Sequence, residues 1–183
     1  NSSEITYSLL NTYSPRKKKR KKSRKSELNG SKKKPSSIRD ISGDEMQRKI
    51  LKGNKYLNEK CYLKALKCFE DVRKFEESPD GLNHLGAVYI GMNRLESALG
   101  FFLRAIALDA SFHHRWANLG LVYAKMKEYK KGLTYYKKAI SIHGDDAQYW
   151  QKAADLYRNL KKYHKALDYY RKAIDLSPLF TKY

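Results

Sequence analysis

Between Met46 and Pro178 the apolar and small residues recur on two superposed periods. At short range they fall three, four and seven residues apart. Trp116, Leu119, Gly120 and Tyr123 form one such set, and Tyr129, Gly132, Tyr136 and Ala139 the next. This spacing gathers side chains on one face of an α-helix, so each set predicts a helix of about 12–15 residues. At long range the whole pattern returns. Gly53, Gly86, Gly120 and Ala154 are spaced by 33, 34 and 34 residues. Each is followed three residues on by a tyrosine: Tyr56, Tyr89, Tyr123 and Tyr157. Second small residues follow at Ala65, Ala98, Gly132 and Ala166, then aromatics at Phe69, Phe102, Tyr136 and Tyr170, then Val72, Ala105, Ala139 and Ala173. The chain therefore predicts four helix pairs. A glycine within a helix costs about 1 kcal/mol relative to alanine, so its return at equivalent places predicts helices that approach closely. Small residues facing each other, such as Gly120 and Gly132, would permit this while the aromatics fill the space beside them.

Start signals agree with the phase. Ser42-Gly43-Asp44-Glu45 reads as a capping box before the first unit. Ser78-Pro79 reads as a cap followed by proline at the first helical position. Asp145-Asp146 places carboxylates at the start of the fourth unit. The recurring W-x2-L-G-x2-Y…A-x3-F pattern, clearest as Trp116–Tyr123 and Gly132–Ala139, resembles the tetratricopeptide repeat. The resemblance covers about three quarters of the chain. Departures are Lys49 and Lys52 in the first unit, Ala153 in the fourth, and a concluding proline present only as Pro178. The resemblance implies an all-α, right-handed superhelical solenoid of antiparallel helix pairs. Its expected units are about 46–78, 79–112, 113–146 and 147–180 within a domain of residues 42–183.

Such stacks imply a curved groove lined by the first helix of each pair. By resemblance the groove candidates are Asn54, Asn83, His84, Asn118, Leu121, Gln151, Lys152 and Asp155. Amide side chains there can donate to and accept from an extended peptide backbone. The peptide-binding superhelix of O-linked N-acetylglucosamine transferase uses an asparagine ladder for this. Asn118 matches the ladder position, Asn83 lies one place off, and His84 and Lys152 depart from it. A second family mode clamps a C-terminal carboxylate of chaperones. Asn54 matches one of its elements, whereas Ile50, His114 and Asn118 stand where its other groups would be. A mixed polar and apolar groove for another peptide or helix is the expectation.

Composition adds a tail. Of 183 residues, 41% are hydrophobic and 32% charged, with a net charge of +20. Arg16, Lys17, Lys18, Lys19, Arg20, Lys21, Lys22, Arg24, Lys25, Lys32, Lys33 and Lys34 face a single acid, Glu27, in that stretch. Sequence so poor in apolar residues cannot bury enough surface to fold, so residues 1–41 are expected to be disordered. Three readings compete: a nuclear-import signal for an importin-type receptor, nucleic-acid binding, and adhesion to an anionic membrane face. Ser14-Pro15-Arg16-Lys17 resembles a proline-directed phosphorylation site, where a phosphate would weaken the basic run. The body is basic too, through lysines on second helices and turns such as Lys130, Lys131, Lys137, Lys138, Lys165 and Lys172. A solvated outer face or an acidic partner would each account for them.

No stretch approaches 18 apolar residues, so no membrane span is expected. Cys61 and Cys68 are too few for a disulfide framework and predict reduced thiols in an intracellular, reducing compartment, nuclear or nucleo-cytoplasmic if the source is eukaryotic and cytoplasmic otherwise. The chain begins with Asn1, which suggests a fragment or processed product. Phosphate loops, GxSxG elbows and HExxH motifs do not occur, so neither cofactor nor enzymatic activity is expected. His113, His114 and His143 are expected to approach one another between the third and fourth units, as surface or groove histidines. At the end of the array, Leu156, Tyr157, Leu167 and Tyr170 are expected to lie partly open. A missing C-terminal capping helix, a partner or self-association would cover them. The functional expectation is a non-catalytic scaffold or adaptor that holds a peptide or helix within a larger complex. The alternatives are a nucleic-acid-associated adaptor and a targeting segment of a larger enzyme.

Overall fold

The computed structural model describes the backbone of residues 38–177 and the side chains of residues 43–177. The basic run and Ser14 lie outside the described residues. Within them are eight helices and no strand: α1 (Ile38–Asn58), α2 (Tyr62–Phe75), α3 (Pro79–Gly91), α4 (Leu95–Leu108), α5 (His113–Lys125), α6 (Tyr129–Ile142), α7 (Ala147–Asn159) and α8 (Tyr163–Leu176). They form four antiparallel pairs stacked as an all-α, right-handed solenoid.

Two of the expected starts have the expected chemistry. The Ser78 hydroxyl accepts from the Gly81 amide at 3.0 Å, with Pro79 opening α3. Asp146 caps α7 by accepting from the Gln148 amide at 2.9 Å. The first start differs. Because α1 begins at Ile38, the Ser42–Glu45 segment runs inside the helix instead of capping it. Glu45 there reaches Lys49 at 3.4 Å, one turn on, a pairing that supports a continuing helix.

The turn inside each pair is the same backbone device four times. The carbonyls of Tyr56, Tyr89, Tyr123 and Tyr157 accept from the amides of Cys61, Arg94, Glu128 and Lys162 at 2.8–2.9 Å. The intervening Lys60, Asn93, Lys127 and Lys161 take left-handed backbone angles, with φ of 58°, 58°, 62° and 59°. This is the Schellman closure, which satisfies carbonyls left over at the helix end.

Packing follows the small residues. A Cβ on Gly53, Gly86 or Gly120 would lie 2.7, 2.6 or 2.7 Å from the ring of Phe69, Phe102 or Tyr136, respectively. Each ring of the second helix thus rests on the bare backbone of the first. Gly132 faces Gly120 directly: its Cβ would stand 3.0 Å from the Gly120 carbonyl oxygen. Phe69, Phe102, Ala65, Ala98, Ala105 and Ala139 are wholly buried. Units join because each first helix also packs on the second helix before it, as when Leu119 and Val122 of α5 meet Leu95, Leu99 and Ile106 of α4.

The last unit departs in part from expectation. Leu156 and Tyr157 are buried, at 3% and 4% exposure, because α7 packs against α6. The apolar side chains that stand open are those of α8.

Candidate functional site

Side chains on α1, α3, α5 and α7 line up because those helices are neighbours in the stack. Asp80 of α3 reaches Arg115 of α5, and His113 of α5 reaches Tyr149 of α7. The eight groove candidates then divide. Asn83, His84 and Asn118 are buried, at 2%, 5% and 6% exposure. Asn118 Nδ2 donates to Asn83 Oδ1 at 2.7 Å, so these amides close on each other across α3 and α5. His84 stacks on Phe69 with ring centroids 4.8 Å apart, and its Nδ1 lies 2.7 Å from the Asp80 carbonyl oxygen. Burial holds the His84 imidazole below its ordinary pKa, which keeps it neutral and fits a wall residue. Asn54, Leu121, Gln151, Lys152 and Asp155 are half-buried. Asn54 Oδ1 is buried without a hydrogen-bond partner. Asp155 accepts from the Tyr170 hydroxyl at 2.6 Å and lies 3.4 Å from Arg158. The middle of the face is therefore closed by an amide pair, while half-buried polar side chains lie toward its α1 and α7 ends.

One residue of this region escaped the sequence reading. Arg115 is 1% exposed. Its guanidinium binds Asp80 Oδ1, the Asp109 carbonyl and Asp109 Oδ2, each at 2.8 Å, and lies 4.6 Å from the centre of the Phe112 ring. The Asp109 carboxyl is held well below the usual range, first by hydrogen bonds from Ser111 and then by Arg115. A buried guanidinium needs such pairing, because the desolvation of an unpaired one is prohibitive; both terminal nitrogens are engaged, and Nε alone is buried without a hydrogen-bond partner. The available signal was that Asp80 and Arg115 stand at adjoining places of successive units.

The histidines gather as expected. The His113 and His143 rings stack at 4.4 Å, and His114 meets His113 edge-on at 5.6 Å. His113 Nδ1 lies 2.9 Å from the Tyr149 hydroxyl. Burial, then the Arg115 charge, lowers the His114 pKa to about 4. Among the described residues no group of three His, Cys, Asp or Glu side chains is arranged to hold a metal ion, and no helix is long and apolar enough to cross a membrane. Cys61 and Cys68 are unpaired and half-buried.

Aromatic pairs flank the cores. Tyr135 stacks on Tyr123 at 5.3 Å, and Tyr169 packs against Trp150 and Tyr157 at 5.1 and 5.0 Å. Outer lysines lie over these rings: Lys131 over Tyr123, Lys137 over Tyr157 and Lys138 over Trp116, at 5.4–5.8 Å. Of these three, only Lys131 also pairs with a carboxylate, that of Glu128.

Stacked helix pairs with glycine-seated rings and a face built from alternate helices define a helical-repeat solenoid. Residues 112–178 match the sequence profile of the tetratricopeptide repeat. Residues 112–178 therefore carry tetratricopeptide repeats, and the same residue pattern recurs in the first two helix pairs. Solved structures share the fold. MamA superposes with a TM-score of 0.67 at 22% identity, over 80% of this chain and 86% of that one. MamA 41-end from Desulfovibrio magneticus RS-1 gives 0.66 at 19%, over 73% and 76%. YrrB, described as a TPR protein with an unusual peptide-binding site, gives 0.62 at 24%, over 76% and 71%. No curated protein matches the chain significantly.

Proposed function

We propose that the chain is a non-catalytic interaction scaffold whose first-helix face holds a peptide or helix of a partner within a larger assembly. The observation that carries this reading is the series of amides at related places on successive first helices. Asn54 has an unmatched acceptor, Asn83 and Asn118 engage each other, and Gln151 is half-buried at the α7 end. A planar amide can bracket a peptide unit by donating and accepting together, and an unmatched buried acceptor gains most from a new donor. YrrB, a fold neighbour, is described as having a peptide-binding site, which supports a peptide-holding role for a fold of this kind. Peptides selected by display on the full chain test it. Their affinity is expected to fall with Gln151→Arg and to survive Lys172→Glu on the outer side. Ligands indifferent to Gln151→Arg would refute the groove assignment.

A second reading is favoured by the outer lysines that pair no carboxylate and by the basic run Arg16–Lys34. On this view the tail acts as an import-type signal or nucleic-acid contact, the chain works in the nucleus or nucleo-cytoplasm, and tail and body lysines neutralise phosphates. Salt separates the readings. Phosphate binding weakens by orders of magnitude between about 50 and 200 mM salt, whereas a groove contact built on amides and apolar residues changes little.

A further inference from the structure

Charge is divided unevenly between the two edges of the solenoid. One edge is built from the turns inside pairs, the other from the links between pairs. In the links, residues 71–81, 104–114 and 138–148, seven carboxylates stand against four Lys or Arg. Five of the seven are already engaged. Asp71 pairs with Lys49 and Lys74, Glu77 with Arg104, and Asp80 and Asp109 with Arg115, while Asp146 caps α7.

The turn edge is the reverse. Residues 122–132 and 156–166, the third and fourth turns with their flanks, carry eight Lys or Arg and one acid, Glu128. All eight cations are exposed. Among the described residues only two of them pair with a carboxylate, Lys131 with Glu128 and Arg158 with Asp155. Lys125, Lys127, Lys130, Lys161, Lys162 and Lys165 are left with none. The two turns lie side by side because Leu156 of α7 packs on the bare backbone of α6: a Cβ on Gly132 would stand 3.1 Å from Leu156 Cδ1.

Backbone strain falls at the same place. Lys127 and Lys161 hold left-handed φ of 62° and 59°, a conformation that glycine adopts without steric cost and an L-residue does not. Neither lysine gains an ion pair within the chain to offset it. Strain held at exposed, unpaired cations points to an anion outside the chain.

The possible occupants differ in fit. Residues 16–34, with twelve Lys or Arg and one acid, would be repelled. A second copy has few free carboxylates to offer, since those of its link edge are held in the pairs above. Protein interfaces centre on apolar anchors and are depleted in lysine, whereas Tyr163 is the only large apolar side chain exposed across the two turns. A phosphate backbone needs no such anchor and is neutralised by lysine point charges.

We infer that the edge formed by the third and fourth intra-pair turns binds the phosphate backbone of a nucleic acid. This rests on the phosphate-binding reading of the chain and gives it a place on the folded body, apart from the first-helix groove and from residues 16–34.

The test is a fluorescence-anisotropy titration of the full chain with a labelled oligothymidylate of about 20 nucleotides, at about 50 to 200 mM salt. Lys127→Gly, Lys130→Gln and Lys161→Gly together should weaken binding about tenfold or more at the low-salt end. They should also lower the slope of log affinity on log salt by about 2, since each neutralised phosphate of a single strand contributes roughly 0.7. The melting temperature of this triple should hold or rise, because two of its changes relieve backbone strain. A matched triple, Lys67→Gln, Arg171→Gln and Lys172→Gln, removes the same charge from exposed places on α2 and α8. It should change affinity by less than about threefold, since salt screens charges remote from the site. Equal losses from the two triples would reduce the effect to net charge and overturn the inference. Undiminished binding by the turn triple would also overturn it, leaving phosphate binding to residues 16–34 and that reading intact. Absence of salt-sensitive binding by the wild-type chain would overturn both. Decaglutamate or phosphatidylserine vesicles, bound more tightly than the oligonucleotide and lost with the turn triple, would overturn it by assigning the edge to an acidic protein or a membrane.

Discussion

At Gly86 a methyl group would lie 2.6 Å from Phe102 Cε1, and Phe102 is wholly buried with no room to retreat. Two effects oppose each other in Gly86→Ala. Helix propensity favours alanine by about 1 kcal/mol, while forcing atoms into a packed core costs about 1–3 kcal/mol. The second should win, with a net loss of about 1 kcal/mol or more in urea denaturation. Gly100 in α4 is the control, because a Cβ there meets nothing within 4 Å. Gly100→Ala should therefore stabilise by up to about 1 kcal/mol. Protonation gives a second handle at this scale. His114 titrates at about 4 in the fold against an ordinary 6.5, so between those values the unfolded chain binds more protons. Its contribution is full above pH 6.5 and is lost as pH falls through 4, a loss on the order of 3 kcal/mol. Arg115, His113, Asp80 and His84 are the charged and titratable groups acting on it. Denaturation midpoints should decline from pH 7 to pH 4.5, and His114→Gln should flatten that decline. A pH-independent midpoint would contradict the buried neutral ring.

Each intra-pair turn uses a left-handed residue that is not glycine. Such a backbone costs an L-residue roughly 1–2 kcal/mol, offset in glycine by its greater unfolded-state freedom. Lys127, at φ 62°, is exposed. Lys127→Gly should accordingly raise stability by about 0.5–1 kcal/mol in thermal or urea unfolding. A loss would mean that the lysine makes a contact outweighing its backbone strain. These turns mark a boundary of what sequence could disclose. Helix pairs, their spacing and the seating of Phe69, Phe102 and Tyr136 were legible, because packing imposes a period that residue types must obey. The Ser42–Glu45 cap was misread because a capping pattern has no knowledge of the turn before it, and α1 had already begun at Ile38. The groove was only half legible. Register assigns Asn83, His84 and Asn118 to the first-helix face, but whether a polar side chain stays open depends on partners in other units. The Asn83–Asn118 bond and the Arg115–Asp80 pair join residues 35 positions apart, which one unit's pattern cannot reveal.

In a stacked array the cost of a substitution depends on what lies above it, since stability is a sum of unit and neighbour terms. Leu133 and Leu167 make this testable with identical chemistry. Both follow a small-residue helix by the same register, yet Leu133 packs beneath α7 and Leu167 is 49% exposed. Leu133→Ala should cost about 2 kcal/mol or more, the lower range for core leucines. Leu167→Ala should change stability by no more than about 0.5 kcal/mol. The same asymmetry should appear in native-state hydrogen exchange, with α8 amides opening by local fraying and α3 and α5 amides approaching the global limit. Equal costs at the two leucines would mean that α8 is covered in solution. The comparison would then shift from an exposed end to an occupied one. Any layer placed over Leu167 should close the gap between the two substitutions, because α7 already provides such a layer over Leu133.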